Sequence, residues 1–300
     1  MKKNLIIKNN FFSKKKTKKI DLFKISSSID RIKKNLNKKN VYNLFSKRFK
    51  LNFNESELRK FKKLKSVVVI GMGGSVLGSK AIHSLMEHKI KRNFIFMDNI
   101  DQSFLKRINL EDKKKLLFII ISKSGNTLET LVNVNLLASF NLNKKNTIII
   151  TENNANALNK FAKKKNILTI EHRDYIGGRY SVLSEVGMVP AYFMDLNTKK
   201  FRKNILSHFN KSKKKTLVDS IYQMSKYYLS KDISSIIFFN YSSKLNNLAF
   251  WCQQLLAESL GKKNKGILPV LSKAPKDHHS LLQLYLDGPR DKIFYIFSIE

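Results

Sequence analysis

The 300-residue chain is 42% apolar, which excludes intrinsic disorder and allows one large core or two medium ones. Its 58 lysines and arginines against 22 acidic residues give a formal charge of +36, while a single cysteine, Cys252, excludes an internal disulfide. No apolar run is long enough to span a bilayer, and the basic start MKKNLIIKNNFF holds no stretch of signal-peptide length, so a reducing cytoplasm is the expected compartment.

Residues 1–60 are rich in Lys and Asn, and stretches such as SSSIDRIKKNLNKKNVYNLFSKRF have helical apolar spacing, which predicts a helical preface. From Ser66 the pattern changes. Apolar, β-branched runs alternate with helical patterns: SVVVIGM, NFIFMD, KKLLFIII with a helix from about Asn126, NTIIIT with a helix from Asn153, then NILTI. Runs apolar on both faces and separated by helices predict a parallel sheet covered on both sides. The arrangement restarts with SIIFFN (Ser235–Asn240), the helix SKLNNLAFWCQQLLAESLG, GILPVL and DKIFYIFSIE. The expected fold class is therefore α/β, with a helical segment over 1–60, a first unit over 61–200, a second over 201–300 and a crossing stretch near 172–215.

The positive charge is mostly lysine in short clusters such as SKKKTKK, EDKKK and KFAKKKN. Base readout and stacking favour Arg and aromatic residues interleaved on one face, and that pattern is missing. The lysine excess reads as drift toward AT-rich codons, and no specific nucleic-acid partner is expected. A positive field still attracts anionic small molecules.

After the run LLFIII (Leu116–Ile121) comes SKSGNTLET. In open α/β sheets ligands bind beyond the carboxyl ends of strands, where helix N-termini offer free N–H groups to anions. Ser122, Ser124 and Thr127 supply hydroxyls, Gly125 allows close backbone approach, and Lys123 adds charge. An ordinary helix cap needs only one such residue. A second glycine-rich turn, GMGGSVLGSK, follows the first strand. It lacks the third glycine of the dinucleotide fingerprint, where Val76 stands, and its Ser79–Lys80 reverses the order of the ATP-binding loop. Neither cofactor is indicated, and Gly73, Gly74 and Ser75 are left to lie against a sugar or a phosphate.

GMGGSVLG together with SKSGNTLET resembles the sugar isomerase (SIS) fold family. GGRYSVLSEVG (Gly177–Gly187), QQLLAESLGK (Gln253–Lys262) and HSLLQLYLDGP (His279–Pro289) narrow the resemblance to the phosphoglucose isomerase family, over roughly residues 66–298. It implies two SIS-type three-layer α/β/α units with parallel sheets. It also implies interconversion of glucose 6-phosphate and fructose 6-phosphate through a cis-enediol, without cofactor; apart from His278 and His279 the histidines lie in no metal-ligand spacing and Cys252 stands alone, so no metal site is expected. Glu258, on an apolar-periodic helix, is then the base, Arg179 stabilises the enediolate, and His279 opens the ring from the partner subunit of a homodimer. Gly74, Ser75, Ser122, Lys123, Ser124, Thr127 and Gln283 bind substrate; His278 has no assigned role. Without the resemblance Glu258 reads as a solvated helix glutamate, and Arg179 equally as a structural partner of Asp174 or Glu185.

The family also carries a lysine in a C-terminal helix and a phosphate-binding glutamine, which have no counterparts up to Glu300; the second unit is therefore expected to be incomplete. The final strand KIFYIFSI reads as buried on both faces. A bifunctional phosphoglucose/phosphomannose isomerase and a non-catalytic phosphosugar-binding regulator are the rival readings; Glu258, Arg179 and His279 together favour catalysis, since a pure binder requires no base.

Overall fold

In the computed structural model, residues 21–230 and 232–299 are described. The preface contributes helices α1 (Leu22–Lys34) and α2 (Glu55–Arg59); its first twenty residues lie outside the described part. Then follow β1 (Ser66–Ile70), α3 (Leu77–Met86), β2 (Asn93–Met97), α4 (Gln102–Asn109), β3 (Leu116–Ile121), α5 (Leu128–Leu136), β4 (Thr147–Thr151), α6 (Ala157–Lys165) and β5 (Leu168–Glu171). These strands form one parallel sheet in the order β2-β1-β3-β4-β5. The order reverses between β1 and β3, which opens a crevice at their carboxyl ends.

The apolar runs form strands because both faces are covered. Every residue of β1, β3 and β4 is buried. One face, with Val67, Val69, Ile119 and Ile150, packs on α3 and on the wholly buried helix α7 (Glu185–Phe193). The other, with Val68, Phe118, Ile120 and Ile149, packs on α4, α5 and α6. Helix α6 starts at Ala157 rather than at the expected Asn153. The Asn156 side chain caps it by accepting from the Asn159 N–H at 2.9 Å, and its amide donates to the Glu152 carbonyl at 3.1 Å, which holds 152–156 as a turn.

After α8 (Thr198–Arg202) and α9 (Lys211–Ser230) comes a smaller parallel sheet of β6 (Ser235–Asn240), β7 (Leu268–Lys273) and β8 (Lys292–Phe297), in the order β7-β6-β8. Helices α9 and α10 (Asn246–Leu260) cover one face through Met224, Tyr228, Ala249 and Leu256. On the other face, the short α11 (Leu282–Asp287) sets Tyr285 against Phe239 and Phe294. The expected burial of β8 on both faces is not found: Phe294 is 39% and Ile296 67% exposed. β8 is an edge strand, and α11 is too short to cover it.

The preface is tied down by charge as well as by packing. Phe49 lies between the guanidinium groups of Arg173 and Arg202, 4.2 and 4.4 Å from its ring centre. Arg202 also donates to the Leu44 and Leu183 carbonyls at 2.7 and 2.6 Å. Burial pulls its guanidinium down to about 10, which still leaves it charged at neutral pH. Among the described residues no helix is long and apolar enough to cross a membrane.

Candidate active site

The turn Gly73–Ser75 and the loop 122–127 follow β1 and β3, neighbours in the first sheet, and so lie side by side at its carboxyl edge. The first turn is pressed against a third segment, the 3-10 turn Gly178–Leu183. A Cβ on Gly74 would stand 2.3 Å from the Gly178 carbonyl carbon and 2.4 Å from the Arg179 nitrogen, so only glycine permits this approach. Ser181 fastens the contact by donating to the Gly178 carbonyl at 2.7 Å and to that of Gly74 at 3.3 Å.

Arg179 leaves this junction toward helix α10. Its Nη1 donates to Glu258 Oε2 at 3.0 Å and its Nε to Ser259 Oγ at 3.0 Å. The guanidinium stacks on Tyr180, 4.5 Å from the ring centre, and the Tyr180 hydroxyl lies 2.7 Å from Ser259 Oγ. The indole N–H of Trp251 donates to the Arg179 carbonyl at 2.8 Å. Burial pushes the Tyr180 phenol up, but the hydrogen bonds with Ser259 and Arg179 and the nearby positive charges outweigh it, and the net shift is downward. Glu258 is 48% exposed on its side chain and Arg179 19%. A cation thus sits beside an accessible carboxylate, a pair able to supply a base and a stabiliser of developing negative charge.

The loop 122–127 is braced from inside. Ser122 is buried, lies 2.9 Å from Thr127 Oγ1, and accepts from the Gly125 N–H at 3.1 Å. Gly125 takes φ +65°, and a Cβ there would fall 2.1 Å from Asn156. Asn126 Oδ1 accepts from the Ala157 N–H at 2.9 Å, which joins the loop to the start of α6. Ser124 is exposed and Thr127 half-buried at the start of α5. Lys123 turns aside: its ammonium donates to the Asp174 carbonyl at 2.6 Å and pairs with Glu152 at 3.5 Å. The buried imidazole of His172 lies close to this pair, and burial pulls it down from its ordinary value, which favours the neutral form.

The structure therefore brings together Gly74, Arg179 and Glu258, with Ser75 in the same turn as Gly74 and Ser122, Ser124 and Thr127 on the adjacent loop. His279 and Gln283 lie elsewhere on the chain's surface. His279 is exposed in the 3-10 turn Lys276–His279 that follows β7. Gln283 is exposed on α11 and donates to Asp287 at 3.0 Å. His278 is 3.0 Å from the Tyr241 hydroxyl and rests against Phe239. Two residues of the site lie within the motif QQLLAESLGK but have no role assigned from the sequence. Gln254 donates to Glu258 Oε1 at 2.7 Å, and Ser259 holds Arg179 and Tyr180. The i, i+4 spacing of Gln254 and Glu258 on one helix is a signal that could have found the first. The Cys252 thiol is pushed up to about 11 by burial, which leaves it inert.

The family model described as "Phosphoglucose isomerase" matches residues 30–268. A glucose-6-phosphate isomerase of Methanocaldococcus jannaschii is 38% identical over 256 residues, covering 80% of this chain and 62% of that one. The chain spans about three fifths of the length of the curated relatives it matches. Among solved structures, a hypothetical protein from Thermus thermophilus superposes with a TM-score of 0.75 at 24% identity, over 91% of this chain and 69% of that one. A glucose-6-phosphate isomerase from Chlamydia trachomatis does so with a TM-score of 0.65 at 22% identity, over 90% and 54%. At such identities these two show the shared fold.

Proposed function

The chain belongs to the phosphoglucose isomerase family, and from that premise we propose that it interconverts glucose 6-phosphate and fructose 6-phosphate. The observation that carries the reading is the contact between Arg179 and Glu258 at 3.0 Å, beside a loop built for an anion. Substrate and product are isomers, so the reaction balances as a proton transfer with no net oxidation. Loop 122–127 holds the phosphate through Ser124, Thr127 and backbone N–H groups, and buried Ser122 keeps its shape. Gly74 and Ser75 bound the sugar. In the opened sugar Glu258 takes the proton from C2 and returns it to C1, the hydroxyl proton passes from O2 to O1, and Arg179 stabilises the negative charge on the enediolate oxygen.

Ring opening is assigned to His279. Since His279 makes no contact with the Arg179–Glu258 pair within the chain, the reading places it at the site of a second copy, with Gln283 on the same segment, in a cytoplasmic homodimer. Lys123 acts at a distance in this scheme, by fixing the loop to the segment after β5.

The test is a coupled assay of the purified chain on glucose 6-phosphate and mannose 6-phosphate, repeated with Glu258→Gln. Turnover of glucose 6-phosphate is expected, with kcat falling about 10²-fold or more in the variant while binding persists. A variant with near-normal turnover removes Glu258 from the mechanism. A chain that binds but never turns over the sugar phosphate overturns the enzymatic reading.

A further inference from the structure

A parallel sheet places the beginnings of all its strands on one edge and their ends on the other. Here the two edges carry opposite charge. The segments that lead into the five strands of the first sheet, 60–65, 87–92, 111–115, 143–146 and 163–167, hold fifteen lysines and arginines and three acidic residues. The turns that leave those strands, 71–76, 98–101, 122–127, 152–156 and 172–177, hold two cations and four acidic residues. Codon drift adds lysine to any exposed position; it does not by itself sort lysines to one edge.

Among the described residues only three of the fifteen cations form ion pairs: Lys62 and Arg92 with Asp195, and Lys115 with Asp112. The segments otherwise present exposed lysines, for example Lys63, Lys65, Lys114, Lys145 and Lys164. Helix carboxyl ends converge on this edge, and their dipoles favour a cation within the last turn of each. Lys163–Lys165 end α6 in that way, but 60–65, 113–115 and 144–145 lie outside the long helices of the sheet. So many unpaired like charges repel one another, and a polyanion lying along them would relieve that repulsion.

We propose that this edge, on the opposite side of the sheet from the candidate active site, binds the phosphodiester backbone of a nucleic acid without regard to sequence. Strands about 4.8 Å apart set the five segments in a row about 20 Å long, close to six phosphates of one strand at about 3.4 Å each. Neighbouring strands rotate by about 20–25°, so the row turns through about 80–100° along its length. A flexible or helical backbone can follow such a turn; a flat bilayer meets only part of it. The chemistry is that of point charges. The one arginine in the row, Arg92, is committed to Asp195 and to the Phe193 carbonyl, and none of the segments exposes a Phe, Tyr or Trp ring. With no forked guanidinium free to read base edges and no large ring for bases to stack on, the surface grips the backbone alone.

The test is fluorescence anisotropy with a labelled random-sequence single strand of about 20 nucleotides and a duplex of the same length, at about 50 and 200 mM salt. One variant carries Lys63, Lys65, Lys114, Lys145 and Lys164→Glu. A control with equal charge change carries Lys24, Lys199, Lys203, Lys213 and Lys215→Glu. A third carries the first five as Gln, should charge reversal impair folding. Binding at low salt is expected to weaken about 10³-fold or more at the higher salt, as six or more phosphate contacts require. The edge variants should lose at least about tenfold in affinity and the control less than about threefold. Glucose 6-phosphate should not displace the oligonucleotide. Equal losses in edge and control variants, no binding at low salt, marked preference for one sequence, displacement by glucose 6-phosphate, or tighter binding to phosphatidylserine vesicles than to either oligonucleotide would each overturn the proposal. The outcome is independent of whether the chain isomerises sugars.

Discussion

The two sheets of this protein are built from similar apolar runs and end in different states. In the first, β1, β3 and β4 are buried from end to end between helices on both faces. In the second, central β6 is buried at five of its six positions, while the edge strand β8 leaves Phe294 and Ile296 open. Sequence pattern alone does not distinguish LLFIII from KIFYIF. What separates them is position within the sheet and the length of the covering helix, nine residues in α5 against six in α11. The loops gathered around Arg179 follow strands of the first sheet or lie between it and α7, whereas Glu258 and Ser259 come from α10, which packs on the second sheet.

The largest effect should come from the most asymmetric pair of truncations. Phe118→Ala empties a fully buried position against Phe140 and is expected to cost about 3–5 kcal/mol in chemical denaturation. Ile296→Ala, 67% exposed, should stay within about 0.5 kcal/mol. Similar losses at both positions would erase the contrast. A second test strikes the joint between the units. Gly74→Ala forces a Cβ into the Gly178–Arg179 backbone and should lower kcat on glucose 6-phosphate by about 10²-fold by displacing Arg179, with about 1–3 kcal/mol of destabilisation. Normal kinetics in that variant would mean the close approach has no bearing on Arg179.

A smaller effect is expected at the loop 122–127, the proposed phosphate site. Ser124→Ala removes one exposed hydroxyl and should raise KM for glucose 6-phosphate about tenfold, with kcat little changed, as loss of one hydrogen bond to a charged group implies. An unchanged KM would place the phosphate elsewhere. The smallest concerns Glu185 under the first sheet. Burial pushes this carboxyl up from its ordinary value. Its folded form therefore holds a proton more tightly than the unfolded chain, so its contribution to stability is present below the ordinary carboxylate range and is lost as pH rises through the raised value. Glu185→Gln should flatten that part of the stability–pH curve, measured by urea midpoints. An unaltered curve would assign the slope to other groups.

Much of this architecture is legible in the sequence because strands buried on both faces must be apolar at every position, as SVVVI, LLFIII and TIIIT are. The loop residues are legible for a related reason. Gly74 and Gly125 stand where any side chain would collide, and such positions leave glycines in the sequence. The rest depends on partners far along the chain. Phe49 meets Arg173 and Arg202 across more than 120 residues, and no local pattern announces it. Lys123 reads as a charge offered to an anion, and its contact with the Asp174 carbonyl, 51 residues on, is written in no local pattern. The edge position of β8 was hidden because strand order is decided by pairing, and an apolar run does not encode its neighbours.

The chain contains a single tryptophan, and it stands at the seam: Trp251 of α10 donates its indole N–H to the backbone of Arg179. Its emission therefore comes from one known place, where the second unit meets the loop of the first. Loss of that hydrogen bond and entry of water would change the indole's surroundings and hence the colour of its light. The protein thus carries an intrinsic optical gauge of its own seam, readable without a label and separate from the far-ultraviolet circular dichroism, which sums over all its helices and strands. Following both signals through one denaturation would show whether the two units part before either of them melts.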